Sequence, residues 1–406
     1  MASEIGDADL EVVYKPQLRL LQVAGTLNPS YGGPPVVLNQ LTRSLTDLGH
    51  STDVLTLDPP SAAWLSDLPF RPHAIGPGLG KYGFSLRLKP WLKRHAPNYD
   101  AVIVHGIWQY QSRAVHAACA RAGIPYFVFI HGALDPWYNK HYPRKRTKKR
   151  IYWRLAEHRS LRDARAVLYT CEEERRLSRT SFRPYQATDA VVGVGLEEPP
   201  GDPALQSEAF ISTYPHLRDK RPLLSLGRLD PKKGCDLLIQ AFADVSRSDE
   251  RLHLVMAGPD RSGWEATLRM QAKALGVSDR ITWTGMLSGD LKWGAYRAAD
   301  AFVLTSHGES FGIVVTEALA CGLPVLISDK VYILREIERY GAGLIEGDTA
   351  AGATSLLRRW INLSETEQNE MRLRARECFL ENFEAQAAAR GFIASITRAV
   401  GKTSAR

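Results

Sequence analysis

A short apolar run, a loop bearing glycine and an amphipathic stretch follow one another repeatedly through this chain, and that alternation restricts its fold more than any other feature. Apolar runs over 18–24, 52–57, 101–104, 126–130, 166–169 and 190–192 have the length of strands. The stretches 34–48 and 112–122 between them read as helices. Each is followed by a glycine, Gly49 or Gly123, the residue that most readily takes the left-handed conformation closing a helix. Strands alternating with helices of this length form βαβ units, so the expected fold is α/β, with a parallel sheet wound on both faces. At 197–203 the sequence turns to Glu-Glu-Pro-Pro-Gly-Asp-Pro, which neither helix nor strand crosses easily. The alternation then restarts, with strands over 223–226, 252–257, 280–284, 301–305 and 324–328 and helices over 234–245, 264–275, 290–299 and 313–320. The segment 365–400 reads as mostly helical, with Ser364 as N-cap and a break at Asn382-Phe383.

Two Rossmann-like doubly wound lobes facing each other across a cleft are therefore expected. The first covers 1–198, the second 199–382, and a last helix over 383–406 returns to the first lobe. A length of 406 residues supports two cores. With 44% hydrophobic and 24% charged residues, a disordered or fibrous chain is excluded. No apolar run approaches the roughly 20 residues that span a bilayer. The acidic, h-region-free start argues against a secretory signal, and residues 1–16 read as a loose arm. Cys119, Cys171, Cys235, Cys321 and Cys378 are scattered, with no C-x-x-C pair or Cys/His cluster. A reduced, cytoplasmic setting without a metal site fits that pattern. A net charge of +8 suits nucleic acid, an anionic membrane or an acidic substrate, and does not choose among them.

Four loops at strand ends carry residues suited to chemistry. Tyr31-Gly32-Gly33-Pro34-Pro35 opens a helix, and its paired glycines let backbone N–H groups approach an anion; read blandly, it is a tight strand-to-helix turn. Gly227-Arg228-Leu229-Asp230-Pro231-Lys232-Lys233-Gly234 places Arg228 and Lys233 near a helix start, an arrangement suited to a diphosphate, against the alternative of a solvated basic loop. His105-Gly106 and His131-Gly132 end two neighbouring strands, and His131 is the better candidate for contact with a ligand. The fourth loop runs His307-Gly308-Glu309-Ser310-Phe311-Gly312-Ile313-Val314-Val315-Thr316-Glu317-Ala318. Glu309 lies in the loop and Glu317 on the following helix, so one carboxylate can face a sugar and the other a ribose. Free N–H groups around Gly312, Ile313 and Val314 point at an anion between them. Paired carboxylates also occur in glycosidases, but a hydrolase needs no phosphate cradle in the adjoining loop.

The segment from Gly308 to Ala318, continued by Leu319-Ala320-Cys321-Gly322-Leu323-Pro324-Val325, resembles the E-x7-E signature of retaining GT-B glycosyltransferases of the family 4 type. Gly227-Arg228 with Lys233-Gly234, Gly32-Gly33 and His131 match its other marks in order, and the resemblance extends from about residue 18 to about residue 383. It implies a hexosyltransferase using a nucleotide-diphosphate sugar as co-substrate, with no cofactor and no required metal. Arg228 and Lys233 would hold the diphosphate, Glu317 the ribose and Glu309 the donor sugar. The backbone of Ser310, Phe311, Gly312, Ile313 and Val314 would surround sugar and phosphate, with Gly32 and Gly33 approaching on closure. His131 would bond the sugar near the reacting carbon. The family's Asn-Gly before the hinge is Val194-Gly195 here. The expected acceptor is a glycan or a lipid-linked sugar, with cell-surface polysaccharide or glycolipid as product.

Two other readings share features with this one. An epimerase or phosphorylase uses the same two-lobed fold. A nucleic-acid-binding protein would account for the charge, but no base-stacking motif or recognition helix accompanies it. The run Arg144, Lys145, Arg146, Lys148, Lys149 and Arg150 reads either as a solvated helix face or as a patch resting on the anionic inner face of the plasma membrane, with Trp137 and Trp153 contacting acceptor or lipid.

Overall fold

A computed structural model describes residues 17–141, 143–260 and 263–401. The expected arm over 1–16 and the end of the last segment, 402–406, lie outside the described residues. Thirteen strands form two all-parallel sheets. The first contains β1 (Arg19–Ala24), β2 (Ser51–Thr56), β3 (His73–Ala74), β4 (Ala101–His105), β5 (Tyr126–Phe129), β6 (Ala166–Tyr169) and β7 (Asp189–Val191), in the order β3-β2-β1-β4-β5-β6-β7. The second contains β8 (Arg221–Leu226), β9 (Leu252–Ala257), β10 (Ile281–Gly285), β11 (Ala301–Leu304), β12 (Val325–Ser328) and β13 (Gly343–Glu346), in the order β10-β9-β8-β11-β12-β13. In both sheets the order reverses beside the first strand, and such switch points open a crevice at the carboxyl ends of the strands.

Burial on both faces follows from nearly unbroken apolar runs, whose successive side chains point to opposite sides of the sheet. Leu21, Val23, Val102 and Val104 face one core layer, packed under the helices Leu88–His95 and Tyr110–Ala122. Leu20, Ile103, Phe127 and Phe129 face the other, which is completed by Ala389, Phe392 and Ile396 of the C-terminal helix Ala385–Gly401. That second layer continues without a break into the other lobe through Phe311, Val315 and Phe383.

The chain crosses between lobes twice. After β7 it runs through Val194 and Leu196 to Asp202, which caps the helix Pro203–Thr213 by accepting from the N–H groups of Ala204 and Leu205. The return follows the helix Glu365–Asn382, which starts with a capping box between Ser364 and Glu367. The crossings are bonded side by side, Leu196 N–H to Phe383 O at 2.8 Å and Ala385 N–H to Leu196 O at 3.0 Å. Arg165 on the first lobe also donates to Ala399 O at 2.6 Å.

Candidate active site

The four loops picked out in the sequence meet in one cleft of about 380 Å³ between the sheets. The first lobe contributes Gly32 and Gly33 at the start of the helix Gly33–Asp47, and His131 after β5. The second contributes Arg228 and Lys233 after β8, and Glu309, Ser310, Phe311, Gly312, Ile313 and Val314 after β11. Gly312, at φ 77°, caps the helix Ile313–Ala320, whose first N–H groups open toward this space. Asp230 folds the Arg228–Lys233 loop back by accepting from the Lys232 N–H at 3.0 Å.

Charge in the cleft is arranged in pairs. The Lys233 ammonium donates to the Glu309 carboxylate. Burial alone would raise the Glu309 carboxyl, but Lys233, with Lys232 and Arg228 nearby, outweighs it and holds the group below the usual carboxylate range. Arg228 is exposed to the cleft and no ion pair among the described residues engages it. Lys232 crosses to the first lobe, where its ammonium meets Asp135 at 2.7 Å and lies 4.5 Å from the Tyr138 ring centre. Glu317 does not line the cleft. It is buried one turn along its helix, accepting from Lys292 at 2.5 Å and from the Tyr296 hydroxyl at 2.9 Å.

His131 sits at φ 48°, an unusual backbone for a side-chain-bearing residue. Its loop is held by Glu174, whose buried carboxylate accepts from the N–H of Gly132 at 2.5 Å and from Thr170 N–H and hydroxyl at 2.7 Å. Gly132 is required by the other lobe: a Cβ there would stand 2.0 Å from the Ser310 Oγ. The His131 ring bonds through Nε2 to His105 Nδ1 at 2.8 Å, and His105 Nε2 bonds to Gln22 Oε1 at 3.0 Å. The direction of this chain is set at its far end. Thr42 gives its only proton to Leu38 O at 2.7 Å, so it must accept from the Gln22 amide nitrogen, 2.8 Å away. Gln22 therefore turns its oxygen to His105 and His105 carries its proton on Nε2. His131 donates from Nε2 to the bare Nδ1 of His105. The Nδ1 of His131 is left as an acceptor on a ring that lines the cleft. Burial pushes His131 down to about 3, and burial with the neighbouring ring keeps His105 well below its ordinary value.

Two expectations about the basic segment need correction. Trp153 is 1% exposed: it begins a π-helical turn, Trp153–Glu157, packs against Phe182 and donates to Pro184 O at 2.8 Å, so it reaches neither lipid nor acceptor. Lys149 is turned inward, its ammonium 4.7 Å from the Trp108 ring centre, and burial lowers its pKa. The side chains of Arg144, Lys145, Arg146, Lys148 and Arg150 on the helix Pro143–Tyr152 are exposed, and Trp137 is half-buried, stacked on His141. Among the described residues no helix is long and apolar enough to cross a membrane, and no three His, Cys, Asp or Glu side chains are grouped to hold an ion.

Lys232, Asp135, Glu174 and Gln22 were not singled out from sequence. Lys232 was hidden by its neighbour Lys233. Gln22 had a usable signal, a polar residue inside the apolar run Leu20-Leu21-Gln22-Val23-Ala24.

Fold and cleft together define a two-lobed, GT-B-type scaffold with cationic loops on the second-lobe side of the cleft. Residues 32–194 match the glycosyl transferase 4-like domain, and residues 207–377 match the glycosyl transferases group 1. The chain belongs to the GT-B glycosyltransferases of the family 4 type. It is 29% identical to a D-inositol 3-phosphate glycosyltransferase of Geodermatophilus obscurus, over 80% of this chain and 77% of that one. It is 30% identical to an alpha-monoglucosyldiacylglycerol synthase of Streptococcus pneumoniae, over 40% of this chain and 37% of that one. Among solved structures, Anabaena HepE in complex with UDP and glucose superposes with a TM-score of 0.77 at 17% identity, covering 94% of this chain and 100% of that one.

Proposed function

We propose that this glycosyltransferase moves a hexosyl group from a nucleoside-diphosphate sugar to a hydroxyl of a glycan or lipid-linked acceptor, with retention at the anomeric carbon and without a required metal. The observation that carries the reading is the convergence of Arg228, Lys233, Glu309 and the open helix start at Gly312 on one side of the cleft, opposite His131 and Gly33. The anomeric C–O bond to the diphosphate breaks, and Arg228, Lys233 and the helix N-terminus take up the charge developing on the departing phosphate, the task a divalent ion performs elsewhere. The acceptor oxygen bonds the same carbon from the same face, and its proton leaves on an oxygen of the departing diphosphate. Glu309 holds the sugar hydroxyls and His131 accepts from a sugar hydroxyl through Nδ1. For Glu317 to reach a ribose, Lys292 must first release it.

Retention is supported by the want of a base. The carboxylates lining the cleft are Asp230, which caps its own loop, and Glu309, paired with Lys233. A His131 imidazole pushed down to about 3 is too weakly basic to deprotonate an incoming hydroxyl for backside attack. UDP and glucose in HepE make UDP-glucose a first donor to try. Proton NMR of the earliest product, formed in excess chelator, is the test. An α linkage from an α-linked donor is expected. A β linkage would overturn retention, and turnover that returns only with magnesium or manganese would overturn metal independence.

A further inference from the structure

A second cavity, about 190 Å³, opens off the first-lobe side of the cleft, and Tyr31, Pro34 and His131 line both. It lies beyond the carboxyl ends of β1, β4 and β5, across His131 from the cationic loops. Its volume suits one sugar ring. We infer that this cavity is the acceptor subsite and that it takes an uncharged sugar ring while discriminating against phosphorylated acceptors; the inference rests on the transferase reading above.

The polar groups of the cavity are all neutral. Among the described residues lining it there is no Lys, Arg, Asp or Glu, and the two imidazole rings, His105 and His131, are held uncharged by burial. The Asp58 carboxylate behind Thr26 is spent on Thr26, Leu27 and Thr56 at 2.6–2.7 Å. Helix starts offer a phosphate little more. Pro34 and Pro35 occupy the first turn of Gly33–Asp47 and remove two of its N–H donors. The first N–H of Tyr110–Ala122 is given to Tyr82 O at 2.8 Å. A dianion placed here would lose its hydration without gaining a counter-charge.

A sugar ring, by contrast, finds partners. The Gln109 carboxamide lines the cavity, and Gln111 donates to Gln109 Oε1 at 3.0 Å. Gln111 is 1% exposed and does not line the cavity, so it orients Gln109 rather than meeting a ligand. Gly25, also in the lining, leaves the Gln109 carboxamide open, since a Cβ there would stand 3.0 Å from its Oε1. The Tyr31 ring, 62% exposed at the shared mouth, offers a face for stacking. The Gln109 amide reads hydroxyls by hydrogen bonds while an aromatic face packs on the C–H face of a sugar ring, and such a site disfavours a ligand that leaves the amide unpaired.

The test follows release of UDP from UDP-glucose, and of GDP from GDP-mannose, by the full chain given methyl glycosides or the corresponding sugar monophosphates. Neutral glycosides are expected to give at least tenfold higher kcat/KM than the phosphates. Phosphates used equally well or better would overturn the inference. So would a bound donor whose turnover no glycoside stimulates. Gly25→Ala is expected to raise the acceptor KM severalfold with donor affinity by calorimetry unchanged, and an unaltered KM would remove the cavity from the acceptor path. Failure of the unmodified chain to bind either donor would count against the transferase reading itself.

Discussion

A single hydroxyl proton, donated by Thr42 to Leu38 O, fixes the protonation of a ring three residues away in space. His105 and Gln22 need touch neither sugar to matter, because they hold His131 in the tautomer whose Nδ1 accepts. Removing that constraint with His105→Phe or Gln22→Leu should lower kcat about tenfold, about 1.4 kcal/mol, while donor affinity stays within about twofold. Gln22→Glu keeps an oxygen toward His105 and should recover most of the loss. Equal falls in donor affinity and kcat, without that recovery, would reduce the relay to a packing role. His131 is pushed down to about 3, so it should produce no inflection in the rate between pH 5 and pH 8. Its folded-state pKa lies below the unfolded one, near 6.5, so its stabilising share is present above 6.5 and is lost as pH falls toward 3.

The π-helical turn Trp153–Glu157 places a carboxyl where solvent does not reach. Glu157 meets the Ser112 hydroxyl at 2.5 Å, its other oxygen has no partner, and burial pushes it up to about 7. A folded pKa raised from about 4.5 favours the native state while the group is protonated, and that advantage is lost as pH rises through 7. Glu157→Gln should therefore flatten the fall in denaturant midpoint between pH 5 and pH 8, an effect of up to about 3 kcal/mol. An unchanged fall would place the titration elsewhere. The preceding helix, Pro143–Tyr152, exposes Arg144, Lys145, Arg146, Lys148 and Arg150, and whether they form a solvated face or a patch on an anionic surface is open to a direct test. Vesicles containing phosphatidylserine should pellet the chain where phosphatidylcholine alone does not. Arg144→Gln with Lys148→Gln should cost about 1 kcal/mol of binding per charge removed. Binding that ignores the lipid charge would refute that contact. Most elements were legible from periodicity: β6, β9 and the helix Ile313–Ala320 fall where the sequence placed them. The two-residue β3 is too short to show a period, and β13 offers only the apolar pair Leu344-Ile345 between Gly343 and Glu346. The meeting of loops in one cleft was legible because strand ends in a parallel sheet share one rim. Whether Trp153 faced in or out was not, since its burial depends on Phe182 and Pro184, some thirty residues on in the chain.

At the scale of the whole molecule the lobes are fastened at the cleft by Lys232 and Asp135, both buried. Breaking such a pair in a rigid core costs about 3–5 kcal/mol, but here the lobes can part and return Lys232 to water. Asp135→Asn should therefore enlarge the radius of gyration of the unliganded chain in X-ray scattering and weaken donor binding severalfold, with little loss of melting temperature. An unchanged radius and affinity would show that the pair does not set the opening. At the opposite side, the bonded crossings at Leu196 and Phe383 hold the lobes edge to edge, and the last helix lies on the first lobe. Ribosomes make that lobe well before its cover, with the whole second lobe in between. At about 5–20 residues per second, roughly 10–40 s separate the end of β7 from the helix Ala385–Gly401. Through that interval Phe129 and Ile103 lack their final neighbours, so the lobe built earliest is the last to mature. A chain cut short before Ala385 would expose an apolar face to chaperones and proteases, so the first lobe survives only if synthesis reaches the helix Ala385–Gly401.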